Sequence, residues 1–226
     1  MKLVYFYSPI YEEFHKHIST SMKLANVPCE GIFIDDIHKE KNSKHTFANG
    51  QSVKIETLLK SVKDNIGGDI IFIDATTIFN PNALLNLKDY FSGLEPFDLC
   101  WQDNIGPYGD YNIGVSKIKC NEKMVNFFTD VLARIKLKKC WDQAACNFVF
   151  SKFEKNINFK KFDEKVIVDK INLSMCEGVD EAWDLMKRNF GNFLIFKHVM
   201  THDNKTPEQI SNVRVNVLRK LNLISK

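Results

Sequence analysis

The chain has 226 residues, a formal net charge of +3, 44% hydrophobic and 26% charged residues. That describes a globular chain long enough to bury a substantial core and too short for two full domains. Of its 31 basic residues only Arg134, Arg188, Arg214 and Arg219 are arginines, too few guanidinium forks for a reader of nucleic-acid bases, and the small net charge names no polyanionic partner.

No stretch approaches the roughly 20 apolar residues of a membrane-spanning helix, and Met1 to Glu13 lacks the basic start and apolar run of a signal peptide, so a cytoplasmic location is expected. Cys29, Cys100, Cys120, Cys140, Cys146 and Cys176 are scattered, without CxxC or zinc-type Cys/His spacing. They are expected to be reduced and mostly buried thiols.

Along the chain, short runs of Ile, Val, Phe and Leu alternate with segments of helical period, the pattern of an α/β fold with a mainly parallel sheet. Lys2 to Tyr7 predicts a strand, Ser8-Pro9 a turn, and Ile10, Phe14, Ile18, Met22 and Ala25 one face of a helix. Gly31 to Asp35 predicts a second strand. Lys39 to Gln51 is polar and without period, and is expected to be a mobile loop. Ile55, Leu58, Leu59 and Val62 predict a second helix that ends near Gly67-Gly68.

Asp69 to Asp74 reads as a central parallel strand buried on both faces. A helix is expected from Asn80-Pro81, with Leu84, Leu87 and Phe91 inward. Phe97 to Trp101 and Tyr111 to Ile118 predict strands, and a long helix follows from Asn121 with Met124, Phe127, Phe128, Val131 and Ile135 inward. Trp141-Asp142-Gln143 opens the next helix. Strands are expected at Val166 to Asp169 and Phe193 to Phe196. A last helix follows the capping box Thr206-Pro207-Glu208-Gln209, with Ile210, Val213, Val217 and Leu221 on its inner face.

The segment Ile70-Ile71-Phe72-Ile73-Asp74-Ala75-Thr76-Thr77-Ile78-Phe79 delivers a carboxylate into a short polar turn before the next helix, at a strand exit where open α/β sheets place ligands. Such a carboxylate can hold a hard divalent cation; equally, it can cap its own turn. Asn112-Ile113-Gly114 offers an amide and a bare backbone that a ligand can approach, or a strand bulge. Asp142 stands either at a site or as negative charge at a helix start.

Taken in order, Phe6-Tyr7-Ser8-Pro9, Lys54, Ile71 to Thr76, Phe97-Asp98-Leu99, Asn112 to Val115, Trp141-Asp142-Gln143 and a late His-containing segment with Lys205 resemble the nucleotide-diphospho-sugar transferases. These are retaining glycosyltransferases of the GT-A fold. The resemblance spans roughly residues 1 to 206. It implies one GT-A-type, Rossmann-like domain over 1–226, a mixed and mainly parallel sheet flanked by helices, that moves a sugar from a nucleotide-diphosphate donor to a glycan, protein or lipid acceptor.

The resemblance further implies that Asp74 matches the first acid of an Asp-x-Asp motif binding Mn²⁺ or Mg²⁺, whereas Thr76 stands at the second acid and weakens the metal site. The family's late histidine ligand falls on His202, with His198 as competitor, and Lys205 reaches the diphosphate. Tyr7, Ser8, Lys54, Asp74, Thr76, Asn112 and Gly114 would contact the donor, although a lysine at position 54 fits a solvated helix face just as well. Asp142 and Gln143 would lie beside the anomeric carbon, Asp142 for acceptor binding or nucleophilic assistance. Gln143 is a poor nucleophile, which favours front-face attack by the acceptor hydroxyl with the leaving diphosphate taking its proton.

The alternative is a GT-A-like protein that binds a sugar nucleotide or a partner without transfer, because Thr76 is not an acid. Asp74-Ala75-Thr76-Thr77 fits the dehalogenase-type Asp-x-Asp-x-Thr box poorly, since the second acid is missing and two strand–helix units precede it. No GxGxxG or GxxxxGK[ST] follows any predicted strand.

Overall fold

The computed structural model describes residues 1–34, 45–103, 109–163 and 166–168, and beyond these residues 184, 195–197, 212, 215, 216, 218, 219, 221 and 223. The strands of the main sheet are β1 (Lys2–Tyr7), β2 (Cys29–Phe33), β3 (Asp69–Ile73), β5 (Leu99–Asp103), β6 (Tyr111–Lys119) and β7 (Phe159–Lys161). A second sheet joins β4 (Thr77–Phe79), β8 (Ile167–Val168) and β9 (Ile195–Lys197). The main sheet runs β2-β1-β3-β6-β5-β7. All neighbours are parallel except β6, which is antiparallel to both β3 and β5.

The main sheet is thus mixed and mostly parallel, and β3 has one parallel and one antiparallel neighbour rather than the two parallel ones its apolar run implied. Ile70, Ile71, Phe72 and Ile73 are nevertheless fully buried, because apolar layers cover both faces. On one face α2 (His45–Asp64), α4 (Glu122–Lys138) and α5 (Asp142–Phe153) pack Ile55, Val62, Phe127, Val131, Ala145 and Phe150 against Val4, Phe72 and Trp101. On the other, α1 (Glu12–Leu24) and α3 (Leu87–Ser92) bring Ile18, Met22, Leu87 and Phe91 onto Leu3, Ile71 and Ile73. Each such side chain contributes about 1.5–3 kcal/mol on burial.

Helix α4 starts where the sequence places it: Asn121 is the N-cap and its side chain accepts from Met124 N at 2.9 Å. Its five expected inward residues are all buried. Lys139 closes it in the left-handed conformation, φ 48°.

Several expectations change. The segment read as a loop to Gln51 is helical from His45; once Ile55 to Val62 anchors the helix, backbone hydrogen bonds propagate beyond the apolar stripe. Thr77–Phe79 is a buried strand pairing antiparallel with β9, not part of a polar turn. Pro81–Asn86 is a 3-10 segment preceding α3, with Leu84, Leu87 and Phe91 buried as expected. At the C-terminus residues 212, 215, 216, 218 and 219 are helical, and Val215 and Leu218 join Leu221 inside; Ile210, Val213 and Val217 lie outside the described residues. Strand β5 also begins two residues later than expected, since Phe97 still belongs to a turn donating to Leu94 O.

Among the described residues no helix is long and apolar enough to cross a membrane. Cys100, Cys120 and Cys146 are buried free thiols, Cys29 and Cys140 are partly exposed, and Cys176 is outside the described residues.

Candidate active site

The site grows from the C-terminal edge of the sheet. Strand β3 is followed by Asp74-Ala75-Thr76 and then by β4, so these three residues are the junction between the two sheets. The reversed strand β6 begins at the same edge, and Asp74 N donates to Gly114 O at 2.7 Å. One residue pair thus fixes the strand-exit carboxylate to the Asn-x-Gly element. Asn112 Oδ1 in turn accepts from Gly114 N at 2.7 Å. The Asn112 side chain is buried and turned onto its own backbone.

Lys54 comes from the middle of α2. Its Nζ lies 2.7 Å from Asp74 Oδ1 and 2.9 Å from Asp142 Oδ2. All three side chains are largely withdrawn from water. Burial disfavours the ammonium, but the charges and hydrogen bonds of Asp142 and Asp74 outweigh it and raise the Lys54 pKa well above the usual range. Lys54 is therefore a permanent cation between two acids. Of the two readings of this lysine, donor contact or solvated helix face, the second does not hold.

Asp142 divides its oxygens. Oδ2 meets Lys54, while Oδ1 accepts from Gln143 N at 2.8 Å at the start of α5. Trp141, not Asp142, is the N-cap residue. Asp142 thus serves the helix start and pairs with Lys54 at once.

The circuit closes through a residue that the sequence reading missed. Asn147 Nδ2 donates to Gln143 O and to Tyr111 O, each at 2.8 Å, and Asn147 Oδ1 accepts from Tyr111 N at 2.8 Å. Tyr111 adjoins Asn112, so a continuous path runs from Asn112 through Gly114, Asp74, Lys54, Asp142, Gln143 and Asn147 back to Tyr111. Gly109 completes the fit: at φ +114° a Cβ there would stand 2.4 Å from Asn147 Cγ. The available signal was spacing, since Asn147 lies one helical turn after Gln143 on the same face.

Tyr7 and Ser8 leave β1 at the same edge, next to β3. Tyr7 stacks on His15 with ring centroids 4.0 Å apart. The Ser8 hydroxyl is buried without a hydrogen-bond partner among the described residues, as is that of Thr77, an unmet polar requirement beside the junction. Thr76 is buried. Cys146 lies beneath the ion pair, its thiol pushed up by burial and by Asp142. His198, His202 and Lys205 lie outside the described residues.

Asp98 is a structural residue. It accepts from Lys123 Nζ at 2.6 Å, Asn158 N at 3.0 Å and Asn121 Nδ2 at 3.1 Å. Burial opposes its charge, but these donors lower its pKa.

As a cation site the junction offers hard oxygen chemistry from Asp74, the right class for Mg²⁺ or Mn²⁺. Among the described residues no three His, Cys, Asp or Glu side chains converge. Asp74 would be one ligand of several, and it already faces an ammonium.

This fold recurs in solved structures. A glycosyltransferase involved in glycosylation of the major capsid of PBCV-1 superposes with a TM-score of 0.60 at 9% identity, covering 96% of this chain and 100% of that one. The fold is that of the GT-A glycosyltransferases. The galactosyltransferase LgtC, solved with donor and acceptor sugar analogues, gives 0.54 at 10% identity over 100% of this chain and 97% of its own. GlyE of Streptococcus pneumoniae TIGR4 gives 0.55 at 10% identity over 99% of this chain, which spans 65% of GlyE. No family model matches the chain, and no curated protein matches it in sequence.

Proposed function

We propose that the protein is a glycosyltransferase that takes a nucleotide-diphospho-sugar as donor. The single observation that carries this reading is the Lys54 ammonium between Asp74 at a strand exit and Asp142 at a helix start. A GT-A scaffold supports it. A buried ion triad costs desolvation that a purely structural contact need not incur, and strongly perturbed groups concentrate at functional sites.

In this reading Tyr7, Ser8, Lys54, Asp74, Thr76, Asn112, Gly114 and Lys205 surround the donor. The unpartnered Ser8 hydroxyl supplies a hydrogen bond to it. Lys54 bridges both carboxylates and fixes their separation. Asp142 and Gln143 face the anomeric carbon, where the Gln143 amide binds sugar hydroxyls and leaves front-face attack by the acceptor, with retention, as the route. Asp74 and His202 would hold a divalent cation, which when bound neutralises the departing diphosphate. The site then differs from a two-acid metal centre through Thr76. The acceptor is a glycan, protein or lipid hydroxyl.

The test is turnover of a panel of UDP- and GDP-sugars, by hydrolysis and by transfer to simple glycosides, with and without Mn²⁺. Turnover of one donor that falls sharply in Asp142→Asn supports the reading. Thermal stabilisation by a donor that nevertheless stays intact assigns the second reading instead, a sugar-nucleotide-binding protein without transfer, which the neutral Thr76 favours.

A further inference from the structure

The outer face where α4 meets α5 combines features that neither the core nor the site uses. Arg134, Leu137 and Lys138 on α4, and Phe148, Val149 and Lys152 on α5, line an open cavity of about 180 Å³ with Asp130 at its rim. The α4 positions follow i, i+3, i+4, and Phe148 and Lys152 on α5 are i, i+4, so each of these sets occupies one helix face. The Phe148 ring is covered by cations, with the Arg134 guanidinium carbon 3.2 Å and Lys152 Nζ 4.6 Å from its centroid. Arg134 Nε is buried there without a hydrogen-bond partner among the described residues.

Leu137 is 76% exposed and Phe148 40%. Leu137 sits in the run Arg134-Ile135-Lys136-Leu137-Lys138-Lys139, so an apolar side chain protrudes among lysines. Lys136 is paired with Glu56 at 2.8 Å. Of the residues that line the cavity, Arg134, Lys138 and Lys152 are cations and Asp130 is the one acid.

We propose that this α4–α5 face docks peripherally on an anionic phospholipid surface, with Leu137 and Phe148 entering the headgroup boundary and the flanking cations at phosphate level. Complementary charge and protruding apolar side chains are the two requirements of interfacial binding. An acidic polypeptide would satisfy the cations but need not cover Leu137, whose apolar side chain is 76% exposed. Lysine stems also lie along apolar surface while their ammonium groups reach the phosphates. The inference is independent of the reaction proposed above.

The test is co-sedimentation of the full chain with phosphatidylcholine vesicles, alone or with about 30 mol% phosphatidylglycerol, at low and high salt. Binding is expected to the anionic vesicles, weakened by salt. Lys138→Ser/Lys152→Ser should weaken it about 30-fold at low salt, at roughly five-fold per cation. Leu137→Ser should weaken it about ten-fold or more. Lys23→Ser/Lys88→Ser, on exposed sites of α1 and α3 across the sheet, should bind as the parent does. All substituted side chains are exposed, and unchanged melting temperatures verify folding. Absence of binding, equal binding to neutral vesicles, or binding indifferent to the α4–α5 variants overturns the proposal. Patch-dependent binding to polyglutamate without vesicle binding also overturns it and assigns an acidic polypeptide.

Discussion

Lys54 Nζ lies 2.9 Å from Asp142 Oδ2, joining the middle of α2 to the first turn of α5 within an otherwise apolar layer. A charge held in this way is indispensable to its partners. Lys54→Met removes the ammonium that Asp74 and Asp142 share, and a stability loss of about 3–5 kcal/mol is expected, read from urea unfolding at neutral pH. The triple change Lys54→Met/Asp74→Asn/Asp142→Asn should recover much of that loss. If Lys54→Met alone unfolds like the parent, the ammonium does not balance the two acids.

Asp74 should govern any divalent-cation effect on the donor. Asp74→Asn is expected to abolish Mn²⁺-dependent strengthening of nucleotide-sugar binding, measured by calorimetry. Thr76→Asp adds a second carboxylate at the same turn and should tighten Mn²⁺ binding by about ten-fold or more, since charge count tunes such sites. An Mn²⁺ response that is unchanged in Asp74→Asn would remove Asp74 from the metal site.

His17 gives the fold a measurable pH response away from the site. It is buried on α1, its Nε2 accepts from Phe79 N at 3.1 Å, and burial lowers its pKa to about 4. The unfolded chain, with a histidine near 6.5, binds more protons than the folded one between these values. Stability from this group is therefore complete above about pH 6.5 and falls as pH drops towards 4, by about 3 kcal/mol in all. Urea midpoints across that range should slope accordingly, and His17→Gln should flatten the His17 share of the slope. An identical slope in the variant would assign the pH dependence elsewhere.

Asn147 should behave as a positioning residue. Asn147→Asp keeps an acceptor for Tyr111 N but removes the donors to Tyr111 O and Gln143 O, for an expected cost of about 1–3 kcal/mol. With a donor identified, kcat should fall more than KM rises. Gly109→Ala should reproduce the defect, because its Cβ would press on the same side chain. Parental kcat in Asn147→Asp would make the residue structural only.

Local pattern made several parts readable. Four consecutive apolar residues marked β3 and its exit at Asp74, and the period of Met124 to Ile135 marked the inner face of α4. The helix start at Asn121 was legible as well. What stayed hidden depends on pairing across the chain. The lysine at position 54 reads as a solvated helix face until α5 supplies Asp142, and three apolar or hydroxylated residues, Thr77 to Phe79, become a strand only because β9 lies alongside. Asn147 looks like an ordinary helix residue until Tyr111 arrives from β6. At the C-terminus Leu221 is buried as its spacing implied, and Val215 and Leu218 join it.

The Lys54 pair also has a meaning for how the helical layer is assembled. Apolar side chains such as Ile55, Ala145 and Phe150 tolerate several near-equivalent packings, but an ammonium that needs two particular carboxylates tolerates one. Sliding α2 along the sheet by a turn would strand three charges among hydrocarbon. Helix register and site geometry are then a single property, so that a correctly packed layer arrives with its catalytic candidates already aligned.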